Sequence, residues 1–485
     1  MIEIELMELI EKVTTMKTEF QTIELKAAKD GCPKKLYDTL SAFSNQDSGG
    51  IIIFGIDENK NYEIVGVYDA QDLQKKVTEQ CKQMHPAVRP VFTIVQTEKG
   101  KVVSAEIPSI DISERPCFYS GVGRIKGSYI RSGDSDEPMS DYEIYSYEAF
   151  RKKYQDDIRI NEKADLSSID MKKLNTYVDM ITEKNPKLAQ LPEELILKNL
   201  SMVVEKKPTL VCTLLFSVYP QMFYPQYTVN AMVVMGYTKG ETAADGSRFI
   251  DNKRIEGTLP EILEETMKFL VKNMKVRTII DPNTGERADK TEYPIVALRE
   301  AVLNALIHRD YSIHTEAMPI EVVMYKDRVE IRNPGGLYGR LTVDKLGKVQ
   351  PDTRNPVLAR AMETLGKTEN RYSGIPTMIM EMKKAGMKEP VFENLRNEFA
   401  VTFYNATEAE AETDEQEEPE KDLLAFCKEP KTRAEIAEYL ELTTVSYVMQ
   451  NYIKPLVEKG ALCMTIPNHP RSKNQKYYSR STLEK

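Results

Sequence analysis

Along this chain the hydrophobic positions change period several times, and each change marks an element. Ile4, Met7, Ile10 and Val13 recur every three residues, which predicts a short amphipathic helix within 1–18. Leu36, Leu40 and Phe43 form the inner face of a second helix, which stops at Asn45-Gln46-Asp47-Ser48-Gly49-Gly50. Ile51-Ile52-Ile53-Phe54-Gly55-Ile56 is then continuously apolar, as suits a strand covered on both faces, and it delivers Asp57-Glu58 at its end. Leu73 to Met84 predicts a helix, and Phe92 to Val95 and Val102 to Ile107 predict strands joined across Glu98-Lys99-Gly100. Farther on, 174–181, 191–200 and 259–273 carry helical spacing, while 209–217 and 228–235 are expected as strands. A long apolar helix, Arg299 to Tyr311, precedes strands at Ile320 to Met324 and Arg328 to Ile331 and a turn at Asn333-Pro334-Gly335-Gly336.

The last segment repeats the alternation on a smaller scale. Residues 423–427, 432–440 and 443–459 carry three helical patterns, and 461–466 pairs naturally with 476–479. Three helices followed by a hairpin make a winged helix-turn-helix. The whole chain is therefore expected to be α+β and multidomain: 1–150, a connector and first part of a central α+β region over 151–290, a domain at 291–405, a linker at 406–420 and the winged helix at 421–485.

Composition narrows the partners. The six cysteines lie far apart with no CxxC or Cys/His ligand spacing, so neither a disulfide framework nor a zinc site is expected. Nowhere do eighteen apolar residues run together, and the first thirty lack an apolar signal core, so no membrane partner is expected and the cytoplasm is the default address. The formal net charge of -9 argues against coating nucleic acid through bulk charge. Much of that charge sits between Glu408 and Glu420, a composition suited to a solvated tether. In the segment beyond it, cations outnumber acids.

Chemistry concentrates in three places. Glu19, Glu24 and Asp57 or Glu58 are hard oxygen ligands that could converge on Mg²⁺ or Mn²⁺, the usual basis of metal-assisted phosphodiester cleavage, with Lys26 two positions beyond Glu24 on the same strand face. Arg124-Ile125-Lys126-Gly127-Ser128-Tyr129-Ile130-Arg131 interleaves Arg124, Lys126 and Arg131 with Tyr129, as on a surface that grips phosphates while a base stacks; an edge hairpin protected by charge has the same pattern. Glu300 and Asn304 stand four apart on one helix face, where a carboxylate can activate water and an amide oxygen can ligate Mg²⁺ beside triphosphate oxygens. Ala361 to Thr368 satisfies the permissive P-loop pattern, but the helical spacing of Pro356 to Leu365 puts a helix where that motif needs a strand. In the C-terminal segment Thr444, Tyr447 and Gln450 are spaced to reach base edges, and Arg471, Lys473 and Lys476 to meet phosphates.

Glu19-x4-Glu24-x-Lys26, Ser41-Ala42-Phe43-x-Asn45, Gly49-Gly50 and Gly55-Ile56-Asp57, with Pro116 to Tyr119 and Gly127 to Gly133, resemble the Schlafen-type AlbA domain, a nucleic-acid-binding fold. In Schlafen proteins with ribonuclease activity the acidic trio would correspond to Glu19, Glu24 and one of Asp57 or Glu58. The order Glu300, Asn304, Asn333-Pro334-Gly335-Gly336, Arg354-Asn355-Pro356 and Ser373-Gly374 resembles the ATP-binding α/β sandwich of the gyrase and histidine-kinase (GHKL) type, in its RecG-like form. That resemblance implies ATP and Mg²⁺ as cofactors, Glu300 as general base, Asn304 as Mg²⁺ ligand, Asn333 at the adenine and Gly374 in the phosphate lid. Asn333 departs from the usual Asp, and Ser373 from a common glycine.

The expectation is a dimeric, nucleotide-sensing regulator of transcription that binds duplex DNA. A metal-dependent endoribonuclease using the N-terminal acids, with RNA as partner, and a GHKL-type ATPase are the alternatives.

Overall fold

The computed structural model describes residues 1–243, 245–280, 287–367, 373–405, 423–424, 426–440, 448–458, 461–466 and 475–479. At the N-terminus a four-stranded sheet runs in the order Ile23–Lys26, Gly50–Phe54, Gly100–Ile107, Val91–Thr97. The first pair is parallel, with Glu24 opposite Ile52, and the others are antiparallel. Alternation along Gly50–Phe54 explains why a continuous apolar run was needed. Ile52 and Phe54 enter one core with Leu40, Phe43 and Val77, while Ile53 enters another with Leu6, Ile10 and Val13. Each face is covered by helix: Tyr37–Asn45 and Ala70–Lys82 on the first, Glu3–Met16 on the second. Gly49 (φ +63°) makes the turn into the strand, where a Cβ would stand 2.4 Å from the Ile107 carbonyl oxygen.

The central region is built on a six-stranded mixed sheet in the order Phe249–Ile255, Val229–Val234, Ile320–Met324, Arg328–Pro334, Glu398–Tyr404, Val391–Asn394. Helices Leu259–Asn273, Ile295–His308, Pro356–Thr364 and Gly374–Lys384 contribute to one core that extends from Ile169 to Phe403. Residues on both sides of 290, the expected first part of the central region and the domain after it, share that core. Val229–Val234 pairs in parallel with Ile320–Met324, almost ninety residues on, and no local pattern announces that partnership.

Residues 209–217, expected as a strand, form the helix Leu210–Phe216, with Thr209 at its N-cap and all seven residues buried. A helix apolar on every side has no amphipathic period to distinguish it from a buried strand. The segment 124–131, read as grip or hairpin, is a helical turn, Gly123–Gly127, followed by Tyr129–Ser132, which pairs with Ser135–Pro138.

The C-terminal unit has a three-stranded antiparallel sheet ordered Lys431–Thr432, Lys476–Ser479, Leu462–Met464, with helices Arg433–Tyr439 and Lys454–Glu458 and its own core around Ile436, Leu456 and Tyr477. No helix among the described residues is long and apolar enough to cross a membrane.

A polar residue of the connector ties the central unit together. Asp157 is fully buried and accepts from the Val357 and Leu358 amides (2.9 and 3.0 Å), capping the Pro356–Thr364 helix. Burial pushes its carboxyl up to about 6 against those bonds. A raised acid favours the native state most below its unfolded value near 3.9, and that contribution is lost as pH rises through 6. Asp157→Asn should therefore flatten the thermal-stability profile between pH 4 and 7, where the wild-type midpoint declines; parallel profiles would refute the assignment.

Candidate functional site

Glu300 and Asn304 project from the Ile295–His308 helix into a cleft of about 1340 Å³, counted with its open mouth. Asn333, Gly335 and Gly336 line the same cleft, as do Gly374 and apolar Ile331, Met378 and Phe399. Asn333 is 5% exposed, and its Oδ1 has no hydrogen-bond partner among the described residues. A buried carbonyl oxygen without a donor costs about 1–3 kcal/mol, which an N–H group of a flat ligand would offset. Gly374 opens the Gly374–Lys384 helix hard against the two polar groups: a Cβ there would lie 2.5 Å from Glu300 Oε1 and 2.6 Å from Asn304 Nδ2. The partly positive N-terminal end of that helix thus faces the Glu300 carboxylate. His308 reaches solvent through the cleft, yet the protein crowded around it, and then Arg354, push its imidazole down to about 4, so it is uncharged at neutral pH.

These residues fit a nucleotide with its cation. The Asn304 amide oxygen would hold Mg²⁺ with Glu300 beside it as general base, Asn333 would meet the base of the nucleotide, and the apolar wall would cover its face. The cation would supply charge neutralisation of the phosphates.

Behind the glycine turn lies a buried polar link to the N-terminal region. Asp310, fully buried, accepts from the Tyr142 hydroxyl at 2.7 Å and pairs with Arg354 at 2.5 Å; Arg354 also donates to the Gly336 carbonyl at 3.2 Å. Burial works to raise the Asp310 carboxyl, but Arg354, Tyr142 and Ser312 hold it below its ordinary value. Gly335 (φ +94°) seats on this pair, with a Cβ position 2.5 Å from Asp310 Cβ and 3.3 Å from the Tyr142 hydroxyl. Tyr142 belongs to the helix Asp141–Lys152, and beside it Arg396 binds Glu143 and Glu137, each at 3.1 Å. A second cleft, about 1880 Å³, opens between the two regions and shares Gly336, Leu337 and Leu341 with the first. Tyr142 and Asp310 stand 168 positions apart, so no spacing rule could have joined them.

The N-terminal acids are arranged differently from a metal site. Arg131, 5% exposed, pairs with Glu24 and Asp136 at 2.9 Å and approaches Glu19 at 3.9 Å, while Lys26 takes the other Glu24 oxygen at 2.5 Å. Asp57 is committed to the Asn59 amide and to Lys60, and Glu58 is exposed. Among the described residues no group of three or more His, Cys, Asp or Glu could hold a metal ion, so the set Glu19, Glu24 and Asp57 does not fit Mn²⁺ or Mg²⁺. Both Glu24 oxygens are already matched, one by the Arg131 guanidinium and one by the Lys26 ammonium, so a cation there would have to displace them. Burial, then Glu24, pushes the Glu19 carboxyl up to about 7.

Arg131 is thereby unavailable for phosphates, and Arg124 is spent on Glu148 and the Phe118 ring. Lys126 is exposed, and Tyr129 is half-buried beside Tyr37. Lys476 is exposed on its strand. Thr444, Tyr447, Arg471 and Lys473 lie outside the described residues, as does the side chain of Gln450.

Residues 19–140 match the family model "Schlafen, AlbA_2". Residues 317–403 match "Putative ATP-dependent DNA helicase recG C-terminal", a segment that holds Asn333, Gly335, Gly336 and Gly374 but begins after Glu300 and Asn304. Residues 419–478 match "Filamentation induced by cAMP protein Fic-like, C-terminal domain", which sequence reading had not anticipated. No curated protein matches the chain. Among solved structures, the DIP2311 protein of Corynebacterium diphtheriae is 19% identical over 93% of this chain and 92% of its own, with a TM-score of 0.40. The N-terminal domain of a putative ATP-dependent DNA helicase RecG-related protein from Nitrosomonas europaea is 27% identical over 27% of this chain and 92% of its own, with a TM-score of 0.23.

Removing the acid at the centre of the buried link leaves Arg354 charged and unpaired. Asp310→Ala should lower unfolding free energy by about 3–5 kcal/mol, and Tyr142→Phe by about 1.5–3 kcal/mol, in urea titrations of the full chain. An Asp310→Ala loss below about 1 kcal/mol would mean that the ion pair is solvated.

Proposed function

We propose that this protein is a nucleic-acid-binding regulator whose grip is set by a purine nucleotide in the central cleft. The AlbA_2 and recG C-terminal matches point to a nucleic-acid-related role. One observation carries the nucleotide half: the turn Asn333 to Gly336 bears the unpartnered Asn333 oxygen on its cleft side and rests on Asp310 and Tyr142 on the other. A ligand that reorders this turn must move the seat of the Asp141–Lys152 helix. ATP with Mg²⁺ is the nucleotide we favour, held in a GHKL-like sandwich.

Duplex DNA is the partner we assign to the C-terminal unit, read as a winged helix from its three-stranded sheet and short helices. Pairing of two copies would give a longer recognised site, as expected of a transcriptional regulator. A metal-dependent nuclease at the N-terminal acids is the weaker reading, because Glu24 is already paired with Arg131 and Lys26.

The test is linkage. Saturating ATP–Mg²⁺ should shift duplex affinity of the full chain by at least about 5-fold in fluorescence anisotropy, and duplex should shift ATP affinity by the same factor in calorimetry. Tyr142→Phe should bind both ligands and lose most of the shift. Asn333→Ala should weaken nucleotide binding alone. Duplex affinity unmoved by bound nucleotide would sink the regulatory reading, and phosphate release abolished by Glu300→Gln would replace it with an ATPase.

A further inference from the structure

On the N-terminal unit three tyrosines from separate elements meet at the surface. Tyr37, at the start of the Tyr37–Asn45 helix, stacks on Tyr119 with ring centroids 4.5 Å apart and planes 12° from parallel; Tyr129 lies 6.3 Å from Tyr37, tilted by 55°. All three rings are half-buried, and none of their hydroxyls makes a hydrogen bond among the described residues. Buried tyrosines normally bring the hydroxyl to a partner, so rings held at the rim with unclaimed hydroxyls suit contact with something outside the chain. Gly121 holds the cluster in place: a Cβ there would stand 2.6 Å from the Tyr119 ring, and any side chain would displace it.

The charges around the cluster favour an anion. Lys34, Lys35 and Lys126 are exposed and have no ion pair among the described residues, and the Lys35 ammonium lies 5.9 Å from the Tyr37 centroid. Asp38 and Asp136 are the acids near Tyr129, and Asp136 is already taken by Arg131 and Thr39. Ile125 is 68% exposed on the adjoining turn between Gly123 and Gly127, adding an apolar shoulder.

We infer that this cluster is a stacking platform for unpaired bases of single-stranded nucleic acid, with the three lysines along its backbone. The inference rests on the nucleic-acid reading above and goes beyond it in naming a second class of strand and where it sits. Bases inside a duplex keep their faces stacked on one another, whereas a single strand offers them to tyrosine rings. The platform is thus distinct from the duplex-binding role assigned to the C-terminal unit, and one chain would hold paired and unpaired nucleic acid at opposite ends of its sequence.

The experiment uses the full chain with a labelled twelve-nucleotide dT strand and, separately, a blunt duplex. Tyr37→Leu with Tyr129→Leu keeps apolar packing but removes the rings, and should weaken single-strand binding by about 5- to 150-fold per stacked base while leaving duplex binding unchanged. Tyr37→Phe should bind like wild type. Replacing Lys34, Lys35 and Lys126 by Gln should reduce the slope of log K against log salt by about 2. Ultraviolet cross-linking of a bromodeoxyuridine strand should label peptides holding Tyr37, Tyr119 or Tyr129. Undiminished single-strand affinity in the Leu variant, or cross-links elsewhere, would overturn the platform while leaving the regulatory reading intact. Absence of any nucleic-acid binding by the wild type would overturn both.

Discussion

The fully buried Asp310 carboxylate sets the terms on which the N-terminal and central regions meet. A lone ionised acid at that depth would be strongly disfavoured, so its neighbours are obligatory: a guanidinium from Arg354, a phenol from Tyr142 and the Ser312 amide. Those groups come from three separated parts of the chain. Satisfying one charge therefore fixes the entry to the Pro356–Thr364 helix, the end of the Ile295–His308 helix and the start of the Asp141–Lys152 helix in a single arrangement. Gly335 completes it, because only a residue without Cβ can press against the Asp310 side chain at positive φ.

The same logic, with the opposite functional consequence, governs the N-terminal acids. Glu24 and Asp136 converge on a buried arginine, and the site is close to neutral before any ligand arrives. Carboxylates whose charge is already matched have little reason to recruit a divalent cation, since the cation would have to displace a guanidinium held by several charge-assisted bonds. In the central cleft Glu300 and Asn304 face instead the partly positive end of a helix and an apolar wall. The two acid-bearing regions thus differ in their surroundings: Arg131 and Lys26 already pair with Glu24, whereas Glu300 faces a cleft.

The elements that serve these sites were legible to different degrees. Helices with one apolar stripe, such as Leu259–Asn273, and strands with β-branched runs, such as Gly50–Phe54, are written in local periodicity. The Leu210–Phe216 helix, apolar but for Thr213, does not show in local periodicity because burial on every side erases the period. Glu300 with Asn304, and Asn333 with the following glycines, were legible as candidate groups, since four-residue spacing and turn chemistry are local properties. Their meeting across one cleft was not.

By itself, then, the sequence determined the alternation of elements, the polar rung on the Ile295–His308 helix, the glycine positions where the backbone must turn tightly, and the separateness of a small C-terminal unit. Tertiary structure alone decided that residues from Ile169 to Phe403 share one core around a six-stranded sheet, that Arg131 belongs among the acids and not on a phosphate, that Tyr142 closes on Asp310, and that three scattered tyrosines form one surface. The reason is range. Periodicity and turn chemistry act within about a helical turn or two, whereas parallel strand pairing, burial of charge and ring stacking are settled between residues tens to hundreds of positions apart.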